Sequence, residues 1–146
     1  MSCIKLFVSL CVLAVAAPAV NIAAPSITIA SSEARLGSVV ETMIAVAQTP
    51  EAGDRVFVVF GTGRGEATLN LANVAVTVPF GEAAWSAGEV TAAALGSGRF
   101  AFSEVLPSDP SLIDHELCAV VVIVKANGSV LVSARTGGPI IQDALS

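Results

Sequence analysis

Residues 117–125 read Leu-Cys-Ala-Val-Val-Val-Ile-Val-Lys, and residues 126–134 continue Ala-Asn-Gly-Ser-Val-Leu-Val-Ser-Ala. Both stretches are rich in β-branched residues, which favour strands. Asn127-Gly128 between them suits a type I′ turn, because both central residues of that turn take positive φ. We therefore predict an antiparallel hairpin here. Its expected cross-strand pairs are Lys125 with Val130, Ile123 with Val132, and Val121 with Ala134.

Outward from this hairpin, the chain repeats short apolar or alternating runs separated by Gly, Pro and Asp clusters. The predicted strands are 26–30, 39–47, 55–60, 67–71, 74–78, 99–102, 117–125, 129–134 and 140–144. Residues 89–95 are ambiguous, and residues 111–114 can form one helical turn. This gives eight to ten short strands and no long amphipathic helix, a pattern typical of all-β folds. We expect a single antiparallel β-sandwich, either immunoglobulin-like or jelly-roll-like.

Two of these strands, residues 55–60 and 117–125, are apolar on both faces. A sheet with one solvated face should alternate cleanly between apolar and polar residues. The absence of alternation predicts that something covers the second face, and we expect a partner molecule to do so. The expected interaction surface comprises Val56, Val58, Val120, Val122 and Val124, together with Trp85.

The composition restricts the function classes. The chain has 146 residues, a formal net charge of −5, 54% hydrophobic residues and only 13% charged residues. Nucleic-acid binding is disfavoured, because its affinity comes from neutralising phosphates with basic side chains. Disorder is disfavoured because β-branched residues are too frequent.

The first 19 residues have the pattern of a secretory signal peptide. One lysine in residues 1–5 precedes the uncharged apolar run 6–17, and Ala17-Pro18-Ala19 follows as an A-x-A cleavage signal. The apolar run is shorter than the ~20 residues that a membrane span needs. We predict cleavage after Ala19, with cleavage after Ala16 or lipoprotein processing at Cys11 as alternatives.

Residues 20–146 are then predicted to form one exported domain, whose residues 20–30 are an extended lead-in and a candidate N-terminal strand. Without Lys5 the mature chain has 12 acidic and 6 basic residues, a formal charge of −6. Cys118 becomes its single cysteine, so an intramolecular disulfide is impossible. We expect Cys118 to be a small buried apolar residue; the alternative is an intermolecular disulfide or a reactive thiol.

Chemistry-bearing residues are sparse. His115 is the one histidine, and the chain has no nucleophile elbow of the G-x-S-x-G type. Asp109, Asp114 and Glu116 can supply oxygen ligands for calcium, but their spacing is not that of an EF-hand loop. The glycine-rich residues 61–66 lack the Lys-Ser/Thr of a phosphate loop. We therefore predict no catalytic residue, no metal site and no cofactor.

Trp85 is the one tryptophan and is the remaining candidate for a binding residue. An exposed indole can serve as a platform for a sugar ring, whereas a buried one packs in the core. Such platforms usually need several aromatic residues, and this chain otherwise has only phenylalanine. Core packing, or a hydrophobic lid, is the expected role, with a contact surface as the alternative.

The C-terminal half carries a recognisable set of residues: Gly98, Arg99, Leu106, Pro107, Asp109, Pro110, Leu112, Ser133 and Ala134. With these residues it resembles a family of uncharacterised bacterial extracellular β-sandwich modules of immunoglobulin-like type. The opening Leu36-Gly37, with Pro50 and Gly53 after the next strand, is similar to the start of such modules. The sequence departs at Cys118, where the family often has an aromatic residue. The resemblance implies secretion and a sandwich, and no reaction.

These observations predict a secreted, non-catalytic protein that self-associates or binds other surface proteins. The expected role is that of a structural or interaction subunit of an extracellular or cell-surface assembly, such as a filament, sheath or surface layer. The alternative is an extracellular module that binds a glycan or another protein. No membrane span is expected after signal cleavage.

Overall fold

The computed structural model describes residues 25–46, 50–90 and 98–144. Nearly all regular structure in these ranges is β, which confirms the all-β prediction. The predicted signal peptide and residues 20–24 lie outside the described residues. The strands are β1 (Ser26–Ile29), β2 (Ala34–Arg35), β3 (Val39–Val46), β4 (Arg55–Thr62), β5 (Ala67–Leu71), β6 (Val74–Val78), β7 (Ala83–Val90), β8 (Gly98–Val105), β9 (Glu116–Val124), β10 (Val130–Val132) and β11 (Thr136–Gln142). One short 3₁₀ turn covers Pro110–Leu112.

Eleven strands in the described part exceed the predicted eight to ten. The two-residue β2 is too short to show a pattern, and β7 was not expected as a strand because its sequence AAWSAGEV does not alternate. The predicted strands 67–71 and 74–78 are confirmed at both ends.

Three sheets are stacked in layers. A three-stranded sheet has the order β1-β3-β8, and a six-stranded sheet has the order β2-β11-β9-β4-β7, with β10 also paired to β9. The third sheet is the β5–β6 hairpin. All pairings are antiparallel except that of β2 with β11, which is parallel and departs from the predicted all-antiparallel arrangement.

Apolar side chains fill two layers. The inner core lies between the three-stranded and six-stranded sheets and includes Val40 and Ile44 from β3 with Phe60 and Val121 from β4 and β9. The outer core lies between the six-stranded sheet and the β5–β6 hairpin. Its buried members are Phe57, Val59, Leu71, Val76, Val78, Phe80, Cys118, Val120, Val122 and Val124. The two-faced strands β4 and β9 therefore contribute to both cores.

The β5–β6 hairpin is amphipathic, because apolar and polar residues alternate along both strands. Val76 and Val78 are buried, whereas Ala75 before them and Thr77 between them are exposed. Ala72 and Asn73 at the tip have φ of 52° and 63°. Two consecutive positive φ values are the signature of a type I′ turn.

The predicted type I′ turn at Asn127-Gly128 is wrong. Only Gly128 has a positive φ, of 90°, and its N–H donates to the Lys125 carbonyl oxygen. This is the three-residue loop in which a type I turn is followed by a left-handed glycine. The extra loop residue shifts the register by one. The observed pairs are Val130 with Val124, Leu131 with Ile123, and Val132 with Val122.

Ser133 joins β10 to β11 where the edge strand is interrupted. Its N–H donates to the Val121 carbonyl oxygen at 2.9 Å, and its hydroxyl oxygen accepts from the Val121 N–H at 2.9 Å. Ser133 is buried, so the hydroxyl satisfies a backbone donor that has no water available. The Ser133 hydroxyl thus accepts a hydrogen bond that a backbone carbonyl oxygen of the neighbouring strand would otherwise accept.

Candidate functional site

The valines expected to form an interaction surface are buried inside this chain. Val56, Val58, Val120 and Val122 are 0% exposed and Val124 is 5% exposed. They also lie on opposite faces of the six-stranded sheet: Val56 and Val58 belong to the inner core, and the other three to the outer core. The expectation of a single surface covered by a partner is therefore corrected. The chain covers it itself, because the β5–β6 hairpin packs over β4 and β9.

Trp85 lies in β7 and packs toward the inner core. Its ring meets that of Phe60 in an edge-to-face arrangement, with centroids 6.0 Å apart and planes at 77°. This geometry is favourable for an aromatic pair. The indole is half-buried, and its principal described contact is internal.

The three carboxylates considered for calcium do not form a ligand cluster. Asp109 caps the 3₁₀ turn, where its Oδ1 accepts from the Ser111 N–H at 3.0 Å and the Ser111 hydroxyl at 2.8 Å. These hydrogen bonds to Ser111 lower the pKa of Asp109. Glu116 instead faces the thiol of Cys118, at 3.7 Å. Within the described ranges, no group of three His, Cys, Asp or Glu residues is placed to hold a metal ion.

His115 pairs with a carboxylate at an exposed corner of the six-stranded sheet. Its Nδ1 lies 2.8 Å from Glu82 Oε2, with the two side chains 39% and 54% exposed. A histidine acting as a general base must reach the proton that it removes. This imidazole contacts an acidic side chain on the neighbouring loop, an arrangement that is common on protein surfaces.

Cys118 is held close to this corner by Arg135. The Arg135 guanidinium donates to the Gly63 carbonyl oxygen at 2.8 Å and lies 3.2 Å from the Cys118 sulfur. Burial raises the pKa of the Cys118 thiol, an effect opposed by the positive charge of Arg135. A raised thiol pKa disfavours the reactive thiolate. Cys118 therefore acts as a small core residue, and Arg135 anchors the glycine-rich loop after β4.

Asp54 ties two turns together at the other end of the six-stranded sheet. Its carboxylate accepts from Lys125 Nζ at 3.0 Å, the Ala126 N–H at 3.2 Å and the Glu51 N–H at 2.9 Å. Burial opposes ionisation of this carboxyl, but the hydrogen bonds outweigh it and the pKa of Asp54 is lowered. The side chain is 2% exposed, and all these contacts are structural.

The outer side of the three-stranded sheet, which we call the open face, is a surface that no described element covers. Its side chains alternate with those that enter the inner core. The open face consists of Ser26, Thr28, Val39, Glu41, Met43, Ala45, Arg99, Ala101, Ser103 and Val105. Most of these side chains are small or only weakly polar, and two are charged.

Cross-strand pairing arranges the open face in rows. Val39 lies opposite Val105, and these two valines are 56% and 52% exposed. The following rows are Glu41 with Ser103, Met43 with Ala101, and Ala45 with Arg99. The two exposed valines, paired across two strands, form a small apolar patch at one end of the open face.

A shallow cleft of about 460 Å³ borders the open face beside Val39. Ser31, Ser32 and Ser38 line it together with Arg35 and Glu33. Arg35 Nε lies 3.5 Å from Glu33 Oε2, so the positive charge is compensated within the cleft. The cleft adds hydroxyl groups to the rim of the open face.

The open face was not predicted from the sequence. Most of its residues lie on the more polar half of predicted strands 26–30, 39–47 and 99–102, whereas Ser103 and Val105 lie beyond the predicted end of the last strand. The available signal was the weak polarity of that half, with Val39, Met43 and Ala45 where charged residues are common on a solvated face.

The comparisons with known proteins supply no family. No protein-family model matches the chain, and no curated protein matches it. Among solved structures, the chain is similar to Spo0M, a sporulation control protein from Bacillus subtilis, at 11% identity and a TM-score of 0.41. The match covers 83% of this chain and 50% of Spo0M. A likeness at this level supports no inference about partner or activity.

Proposed function

We propose that this chain is an exported, non-catalytic interaction module that joins an extracellular or cell-surface assembly through its open face. The observation that carries the proposal is the difference between the two outer surfaces of the layered fold. The β5–β6 hairpin covers β4 and β9 of the six-stranded sheet, whereas the three-stranded sheet presents a weakly polar face with two exposed valines and two charged residues.

Two further features support this role. The signal-peptide pattern of residues 1–19 supports export. The side chains of Asp54, Asp109, His115 and Arg135 are engaged in side-chain pairs, turn caps and backbone anchors, arrangements that serve structure. Within the described residues, no helix has the length and apolar character to cross a membrane.

The strand order supports the immunoglobulin-like form of the predicted sandwich. β1, β3 and β8 lie in one sheet, while β4, β9 and β11 are neighbours in the other. This is the distribution of strands A, B and E against C, F and G in that fold. Modules of this kind are widespread as interaction domains, but the fold alone does not identify a partner.

A glycan-binding module centred on Trp85 is the alternative. Its indole packs against Phe60, and no aromatic residue is among the open-face side chains described above. Sugar platforms rely on stacking against exposed rings. The observations therefore favour a protein partner.

Substitution of Ala101 by Glu tests the proposal. Ala101 is exposed near the centre of the open face, so Glu there would place an unpaired charge in the contact. We expect the variant to be released from surface material as free protein, with association weakened at least ~10-fold, since an uncompensated interfacial charge costs about 2 kcal/mol or more.

Ala75→Glu is the matched control, because Ala75 is exposed on the solvent side of the β5–β6 hairpin. Cells that produce the protein would be fractionated, and the extracellular material would be sedimented and assayed for each variant. An Ala101→Glu protein that is exported, folded and still assembled like the wild type would exclude the open face as the contact. Retention of the wild-type chain inside the cell would exclude export.

A further inference from the structure

We propose that the occupant of the open face is a second copy of this chain, related to the first by a two-fold axis through the Met43–Ala101 pair. This inference rests on the proposed function and names its partner. Glu41 and Arg99 are the two charged residues of the open face, and neither forms an ion pair within the described ranges.

The register determines where these charges lie. Glu41 is opposite Ser103, and Arg99 is opposite Ala45. The pair Met43–Ala101 therefore lies midway between Glu41 and Arg99 along the strands and also spans the two strands that carry them. A two-fold axis in the plane of the face, through this midpoint and perpendicular to the line joining the charges, places Glu41 of each copy against Arg99 of the other.

Such a contact is self-complementary, as the common two-fold interface requires. It forms two equivalent ion pairs, one on either side of the axis. The opposite charges also select the relative orientation of the two copies. A two-fold axis along the line joining the charges would place like charges against each other, and intermediate arrangements would leave both charges facing neutral side chains.

The residues at the axis permit close approach. Thr28 pairs with Met43 on the other side from Ala101, so the central row reads Thr28, Met43, Ala101. Two sheets pack face to face at about 10 Å when their side chains interdigitate. Small threonine and alanine side chains leave room for this, and the flexible methionine can fill the remaining gap.

The area of the open face limits how strongly two copies of the chain associate. Two strands of eight residues and one of four, about 4.8 Å apart and about 3.4 Å per residue, cover roughly 330 Å². Stable complexes bury about 800 Å² on each partner. The pair is therefore weak and reversible, and it forms at high protein concentration or where copies are held together on a surface.

The test is sedimentation equilibrium of the purified protein at fixed ionic strength. We expect a concentration-dependent dimer for the wild type. Arg99→Glu and Glu41→Arg should each raise Kd at least ~10-fold, because the two-fold axis repeats every like-charge contact twice. The double variant Glu41→Arg/Arg99→Glu should return Kd to within about threefold of the wild type, since it rebuilds both pairs in reverse.

Glu66→Arg is the control, because Glu66 is exposed in the loop before β5 and the substitution changes the net charge as Glu41→Arg does. A wild-type chain that stays monomeric at ~1 mM would overturn the inference, as would a double variant no better than the singles, or a control that weakens the dimer equally. If the chain is monomeric while Ala101→Glu still releases it from surface material, the proposed function stands with a different partner.

Discussion

The two outer surfaces of this fold differ in whether another element of the chain covers them. On the six-stranded sheet, Phe57, Val59, Val120 and Val122 would meet water, but the β5–β6 hairpin lies over them and buries all four. On the three-stranded sheet, no described element covers Val39, Met43 or Val105. The difference teaches that a strand apolar on both faces predicts burial on both faces, and does not by itself predict a partner. The weakly polar and uncovered sheet is the better guide to a contact.

The largest expected effect on stability comes from truncating Phe80, a large buried side chain of the outer core. Phe80 is 0% exposed and packs in the outer core beside Gly61, whose position leaves no space for a side chain. We expect Phe80→Ala to lower the free energy of unfolding by about 3–5 kcal/mol, the cost of lost burial plus a cavity. Urea denaturation measures this. A loss below about 1 kcal/mol would show that packing of Phe80 in the outer core contributes little to the stability of the fold.

The second effect concerns Asp54, whose carboxylate joins two turns at one end of the six-stranded sheet. Asp54→Asn removes the charge that accepts from Lys125, Glu51 and Ala126. Hydrogen bonds to a charged group each contribute about 1.5–3 kcal/mol. We expect a loss of about 2 kcal/mol near neutral pH, and a loss within about 0.5 kcal/mol for the control Asp143→Asn, because Asp143 is exposed.

The pH dependence gives the sign of this contribution. The pKa of Asp54 is lowered in the folded chain, so the stabilisation is present above the unfolded-state pKa of about 3.9 and is lost as pH falls through the lower folded value. The gap between wild type and Asp54→Asn should therefore close below about pH 4. A gap that stays constant from pH 7 to pH 3 would contradict an ionised Asp54.

The smallest expected effect on the free energy of unfolding concerns Val105, on the open face. Val105→Ala removes a side chain that is 52% exposed, and we expect unfolding to change by no more than about 0.5 kcal/mol. Val78→Ala, at a 0% exposed position of the hairpin, is the buried counterpart and should cost several times more. Equal losses, measured by thermal and urea unfolding, would mean that Val105 is buried within the monomer.

Much of the fold was predictable from the period of the sequence. Alternation located β1, β3, β5 and β6 to within a residue or two. The absence of alternation in residues 55–60 and 117–125 also predicted that β4 and β9 are covered on both faces. The covering element was itself visible as the short runs 67–71 and 74–78, but nothing in a two-residue period says whether a hairpin joins a sheet or lies on top of it.

The register of the C-terminal hairpin was not predictable for a different reason. Asn-Gly fits both a two-residue and a three-residue loop. In the folded chain the Ala126 N–H donates to Asp54, 72 residues away in the sequence, and Lys125 reaches the same carboxylate. A tertiary contact therefore accompanies the longer loop, and local sequence carries no trace of it.

The open face was missed because it differs from an ordinary solvent-facing side of a sheet only in carrying few charged residues, and this difference is small in the sequence. Its two charges, Glu41 and Arg99, are 58 positions apart in the sequence, and only the β3–β8 register brings them onto one surface. The spacing of residues along the chain cannot reveal such a relation without the pairing of the strands.

The tip of the β5–β6 hairpin offers a practical opportunity. Ala72 and Asn73 turn the chain on the side of the molecule remote from Met43 and Ala101, and Asn73 is exposed. A short reporter peptide inserted between them would project away from the three-stranded sheet, since exposed loop tips tolerate insertion well. Labelled copies could then be followed in living cells without blocking the side on which neighbours are expected to meet.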